Sequence, residues 1–231
     1  MVVSEKELVL QPCSQSLLRD LLLVWLDFER RLGKVPILRS LEQGTFTLDD
    51  YKTLLLNLRP QVIEGSRWIS RAASSFTADF SELRSKAIDH ASDEHRDYQM
   101  LERDYVSIGG QLEQIQKAQR NVGTEALASF LMQQASLPNP VDLLGAMFII
   151  EGLGQKMAQG WAAKIQSCLK LGDNSTTFLR YHGVNDDTHL AKLHSILDSD
   201  AVDEQTAPRI LKTAKVTARL YLLQLEEINN V

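Results

Sequence analysis

Hydrophobic residues recur at intervals of three and four along almost the whole chain, and no run of alternating β-branched and polar residues survives between turn signals. That pattern predicts an all-α protein. The first helix is expected over Ser14 to Leu32, where Leu17, Leu18, Leu21, Leu22, Trp25, Leu26 and Phe28 form a broad apolar stripe while Arg19, Asp20 and Asp27 fall off it. Gly33 and Pro36 end it. A short helix from Ile37 to Gln43 follows; Thr47, three residues before Asp50, then caps a helix reaching Ser75, with Pro60 inside it as a kink. Ser81 to Gly109 and Thr124 to Ser136 are the next two helices, and Leu137-Pro138-Asn139-Pro140 is the clearest break. The series closes with a long helix from Val141 to Leu171, a short segment from Thr177 to His182, a helix from Asn185 or Asp186 to Leu197, and a last helix from Asp203 to Ile228. The expected architecture is a single helical bundle of seven to nine helices, one domain over residues 1–231.

Composition narrows the class. With 44% hydrophobic and 24% charged residues and only 12 Gly and 6 Pro, the chain has the makings of a globular core and excludes disordered and collagen-like classes. Its longest apolar runs, Leu21 to Leu26 and Leu143 to Ile150, fall far short of the roughly 20 residues a bilayer span needs. The net charge is −5 and basic residues cluster nowhere, which argues against nucleic acid or an anionic membrane as a partner. The N-terminal residues carry no basic segment followed by an apolar one, so a cytoplasmic location is expected. Cys13 and Cys168 then read as reduced thiols.

Three groups of polar residues sit where apolar ones are expected. The stripe Leu144, Met147, Phe148, Glu151, Gly154, Ala158, Ala162 and Ile165 places one carboxylate among apolar neighbours. Burial there demands a raised pKa, a cation, or an ion pair to Arg or Lys of a neighbouring helix. In the helix around residue 94, His90, Glu94, Asp97 and Leu101 share a stripe, with Asp93 and His95 off it; a solvated charged face is the alternative for so charged a segment. The third group, His182, Asp186 and His189, has the spacing His-x3-Asp-x2-His. Imidazole and carboxylate together suit iron, manganese or zinc, and further Glu residues favour iron; helix capping by Asp186 beside packed histidines explains the same residues without a metal. Together the three groups make up the inventory of a di-metal carboxylate bundle.

Three stretches carry a family resemblance. His182-Gly-x2-Asp186-x2-His189-Leu, preceded by Phe178 and Tyr181, resembles the signature of the non-haem iron oxidase branch of the haem-oxygenase-like fold, which includes the CADD-like proteins, with TenA and PqqC as more distant relatives. Glu151-Gly-Leu-Gly is similar to that branch's central helix, which supplies a metal-binding Glu. Asp93-Glu94-His95-Arg96-Asp97, followed by Leu101, Asp104, Tyr105 and Gly109, is similar to its acidic segment, and the likeness runs from about residue 47 to 200. It implies that Glu94 and His182 serve one iron while Glu151, Asp186 and His189 serve another, with Glu94 or Glu151 bridging. Asp97 departs from the pattern: many members carry His there, and His90, one turn before Glu94, stands as a substitute.

The resemblance further implies no haem, because the haem-degrading branch uses a proximal His near the N-terminus and no His precedes His90. It implies no thiaminase chemistry of the TenA type either, since Cys13 and Cys168 stand elsewhere than that branch's mid-chain nucleophile. The expected activity is iron-dependent oxidation of a small organic substrate by O2, with manganese as the other candidate metal. The alternatives are a non-catalytic small-molecule-binding protein of TenA/PqqC-like fold and an interaction scaffold. In the latter, Trp25 and Phe28 of the first helix would serve a homodimer, although a core explains them equally.

Overall fold

The computed structural model describes residues 12–184, 196, 197, 199 and 201–230, and among these every regular element is helical. The order is α1 (Pro12–Leu32), α2 (Pro36–Glu42), α3 (Leu48–Ser75), α4 (Ser81–Glu94), α5 (Tyr98–Ser107), α6 (Leu112–Gln116), α7 (Val122–Ala135), α8 (Leu144–Leu153), α9 (Gln159–Leu169), α10 (177–184) and α11 (Thr206–Glu226). The expected all-α bundle is what the chain forms. No described helix is long and apolar enough to cross a membrane.

Two long helices organise the rest. α3 packs against α4, α5 and α7, and α11 packs against α1, α7 and α8. The start of α3 follows from local chemistry: the Thr47 hydroxyl accepts from Asp50 N at 3.1 Å and the Asp50 carboxylate accepts from Thr47 N at 2.8 Å, so two otherwise orphaned amides are satisfied. α3 then continues through Pro60. Close approach of α8 to α11 depends on Gly145, where a Cβ would collide with the Ile210 carbonyl. Trp25 and Phe28 are each only 1% exposed and belong to the chain's own core, so the apolar residues that α1 leaves to solvent are Leu22, Leu23 and Leu26.

The helices differ from the expected ones in several places, α6 among them, and the differences that bear on the site lie around α4, α8 and α10. The segment expected as one helix from Ser81 to Gly109 is interrupted at His95 to Asp97 by a turn closed through i→i+3 bonds, Asp97 N to Glu94 O at 3.2 Å and Met100 N to Asp97 O at 2.9 Å. The segment expected from Val141 to Leu171 opens with a 3₁₀ turn, Val141–Leu143, and is interrupted by a π-helical turn, Gly154–Ala158. Gly152 stands just before that widened turn and Gly154 opens it, both weak helix formers. Finally, Gly183 does not end a helix: α10 runs through it, and its missing side chain lets α10 approach α9, since a Cβ there would lie 2.9 Å from Gln159 N. The helix expected to reach Leu197 lies outside the described residues apart from Ile196 and Leu197, which are buried.

Candidate metal centre

The turn after α4 decides how the acidic segment is presented. In a turn closed by i→i+3 bonds, side chains three apart eclipse, so Glu94 and Asp97 face the same way. Asp93, His95 and Arg96 are exposed, whereas Asp97 is buried and Glu94 half-buried. His90, one turn earlier on α4, shares the inward face. Opposite stand Glu151, buried on α8 just before the π-turn, and His182 on α10.

These five side chains form two triads that share Glu94. His90 Nε2 lies 3.2 Å from Glu151 Oε1 and 3.7 Å from Glu94 Oε1. His182 Nε2 lies 3.2 Å from Asp97 Oδ2 and 3.9 Å from Glu94 Oε2. Within each triad, His90 with Glu94 and Glu151, and Glu94 with Asp97 and His182, one ligand-capable atom from every residue lies within 4.8 Å of the others. Atoms bound about 2.0–2.2 Å from a first-row metal are at most about 4.4 Å apart, so shifts of a few tenths of an ångström close either triad on an ion.

Buried acids elsewhere in the molecule are neutralised differently. Glu64 faces the guanidinium groups of Arg67 and Arg120, and Asp142 binds Arg209 at 2.6 Å. Glu151 and Asp97 face imidazoles instead. Asp97 Oδ2 is buried and accepts no hydrogen bond, although His182 Nε2 is 3.2 Å away. His182 donates from Nδ1 to the Phe178 carbonyl at 2.9 Å, which leaves a lone pair on Nε2 in the neutral ring. Two acceptors thus confront each other, and a cation between them, a proton or a metal, resolves the conflict. The residues present fit a metal of the iron, manganese or zinc kind.

Asp104, fully buried on α5, holds the start of α10. It accepts from Thr177 N at 2.9 Å, Thr177 Oγ1 at 2.6 Å and Phe178 N at 3.0 Å, so it caps the helix that carries His182 five residues on. Burial pushes its pKa up from the ordinary aspartate value, and these three bonds pull against that shift. Tyr51 secures the same corner by donating to Ser175 O at 2.6 Å; burial raises its pKa, so it remains a neutral donor. None of this was visible in the residue pattern around His182, because the capping partner lies 73 positions away.

A cavity of about 90 Å³ adjoins both triads, walled by His90, Glu94, Glu151 and His182 and on the far side by Gln61, Trp68 and Tyr221. Gln61 Oε1 is buried there and accepts no hydrogen bond. Tyr221 is held as a neutral phenol by burial, which raises its pKa. Of the residues singled out from the sequence, Glu94, Asp97, Glu151, His182 and His90 converge, and Asp186 and His189 lie outside the described residues. His90 and Asp97 do not stand in for one another: each belongs to a different triad. Gln61, Tyr221 and Asp104 were not singled out for the site.

Residues 53–222 match the family model described as iron-containing redox enzyme, of haem-oxygenase type. The chain belongs to that family. A domain of unknown function with a haem-oxygenase-like fold from Shewanella denitrificans OS217 superposes with a TM-score of 0.84 at 19% identity, covering 93% of this chain and 90% of that one. A TenA homologue from P. horikoshii OT3 gives 0.74 at 17% identity, covering 94% and 97%. A TenA homologue from Pseudomonas syringae pv. tomato DC3000 gives 0.75 at 14% identity, covering 95% and 93%. These likenesses show a haem-oxygenase-like, TenA-like fold for this iron-containing redox enzyme family member. No curated protein matches the chain.

Proposed function

We propose that the protein is a non-haem iron oxidase or oxygenase of the CADD-like branch, which holds two ferrous ions and uses O2 to oxidise a small organic substrate. The observation that carries this reading is the pair of imidazole and carboxylate triads sharing Glu94, with the Asp97 carboxylate 3.2 Å from His182 Nε2. Glu94, Asp97 and His182 would hold one ion, and Glu94, His90 and Glu151 would hold the other. The resemblance adds Asp186 and His189 to the second. Ferrous iron, when bound, would supply the electrons for O2 activation.

The chain's own groups do the rest. The Phe178 backbone carbonyl accepts a hydrogen bond from His182 Nδ1 and fixes the ring, whose centroid lies 4.2 Å from that of the Phe178 ring. Trp68 and Phe178, both buried, keep water from the triads, while the Gln61 amide offers a polar anchor to the substrate and Tyr221 holds a proton at its phenol oxygen. The oxygen-rich ligand set accepts manganese as well. Elemental analysis of protein purified anaerobically from iron-supplemented cells tests the reading. About two irons per chain are expected, and Glu94→Ala should lose both. Less than a tenth of an equivalent in the wild type would refute it in favour of a metal-free small-molecule-binding protein.

A further inference from the structure

A second cavity, also of about 90 Å³, lies between α3, α4 and α8 and shares Trp68, Ile69 and His90 as a common wall with the cavity beside the triads. Among the described residues its wall carries two ionisable side chains, and neither calls for a charged ligand. His90 Nε2 is buried and lies 3.2 Å from Glu151 Oε1, so it is turned to the triads. Lys86 is half-buried and stands one turn from the exposed acids Glu82 and Asp89. The rest of the described wall is hydrocarbon, Phe76, Leu83, Ala87 and Leu144 among it, apart from the Met147 thioether and the Trp68 indole nitrogen. A water held inside a protein needs about two to four polar partners, which this wall does not assemble, whereas a small uncharged apolar molecule gains by leaving water. Apolar cavities of about 150 Å³ hold benzene or xenon, so this smaller one suits a guest of very few atoms.

We propose that this cavity is a dioxygen site, in which O2 collects out of water beside the triads and from which it crosses the shared wall of Trp68, Ile69 and His90. O2 is an uncharged, nonpolar diatomic, and it is the reactant of the proposed oxidation that an apolar chamber of this size selects. The destination of the gas rests on the proposed function, whereas its uptake rests on the cavity alone. Ala87 on α4 and Met147 on α8 line this cavity and not the one beside the triads. A larger side chain at either position therefore fills the gas site while every residue of the triads stays in place.

The test begins without iron. O2 is paramagnetic and speeds the relaxation of methyl protons wherever it dwells. In the metal-free full chain under oxygen, compared with argon, the methyl groups of Leu83, Leu144 and Met147 should gain at least threefold more relaxation than those of exposed Leu23 and buried Ile165, which line no part of the cavity. Ala87→Leu, and Met147→Phe from the facing helix, should each erase that excess. Stopped-flow oxidation of the iron-loaded protein follows. Ala87→Leu should slow oxidation of ferrous iron by O2 at least fivefold, while iron content and oxidation by hydrogen peroxide, a polar oxidant that gains nothing from hydrocarbon walls, stay as in the wild type. No excess relaxation in the wild type, a full O2 rate in variants that exclude the gas, or equal slowing with both oxidants would overturn the proposal. A wild type that collects O2 there yet holds no iron defeats the function proposed above and leaves the uptake of the gas standing.

Discussion

At the scale of single residues, the difference between a neutralised acid and one that awaits a cation lies in the partner. Glu64 and Asp142 meet guanidinium groups, whereas Glu151 and Asp97 meet imidazole nitrogens, and only the second arrangement also serves a metal. Glu94 and Glu151 stand out in the sequence because polar side chains fall on apolar stripes, and His182 because of its spacing to Asp186 and His189. Their grouping does not, since His90 and Glu151 come from helices 61 positions apart. His90→Ala and Asp97→Ala separate the two triads. Each should cost about one iron of the two, and the residual iron should differ in its ligand field by Mössbauer or X-ray absorption spectroscopy. If both variants keep full iron, neither side chain is a ligand.

At the scale of elements, helix ends marked by Gly, Pro or a capping residue were legible, as at Thr47 and at Pro138 to Pro140. The interruption at His95 to Asp97 contains neither Gly nor Pro, so periodicity runs straight through it. Asp104 was hidden too: it caps a distant helix rather than its own. Replacing it with Ala leaves two buried amides and a hydroxyl without an acceptor and should cost about 2–4 kcal/mol by chemical denaturation. Iron content should fall with it, although Asp104 belongs to neither triad, because α10 loses its anchor. α11 offers a pH test. The exposed Asp203 carboxylate accepts from Thr206 N at 2.7 Å and Gln205 N at 2.9 Å, bonds that hold its pKa below the ordinary aspartate value. Its contribution is therefore fully present above that ordinary value and disappears as pH falls through the depressed one. The melting temperature of Asp203→Ala should lie below that of the wild type at pH 7, and the gap should close in acid.

At the scale of the whole molecule, the fold was the most legible property, because an all-helical pattern with few breaks leaves little besides a bundle. Which helices touch was not, since α3 and α11 become hubs through contacts between remote segments. The proposed metals would act on this whole. An ion bound only by the folded chain stabilises it by about 2.7 kcal/mol at a hundredfold excess over Kd. For a chain of this size that corresponds to a rise of about 5–10 °C in Tm per site. Calorimetric scans with and without ferrous iron should show the rise, and a chelator should reverse it. An unchanged Tm up to millimolar iron would contradict metal binding.

The π-turn at Gly154 to Ala158 also sets a phase. Each residue of an α-helix turns the chain by about 100° and advances it by 1.5 Å. The widened turn carries one residue more than an α-helical turn does, so α8 and α9 are offset in angle although they share an axis. Ala162 and Ile165 are buried at that offset. Loss of one residue there would let the segment relax into uninterrupted helix with the core face of α9 still inward, whereas tightening the turn to α-helical geometry with every residue kept would rotate everything beyond it by about a quarter-turn. The wide turn is thus what lets α8 face the triads and α9 face α2 with one residue more than a continuous helix would need.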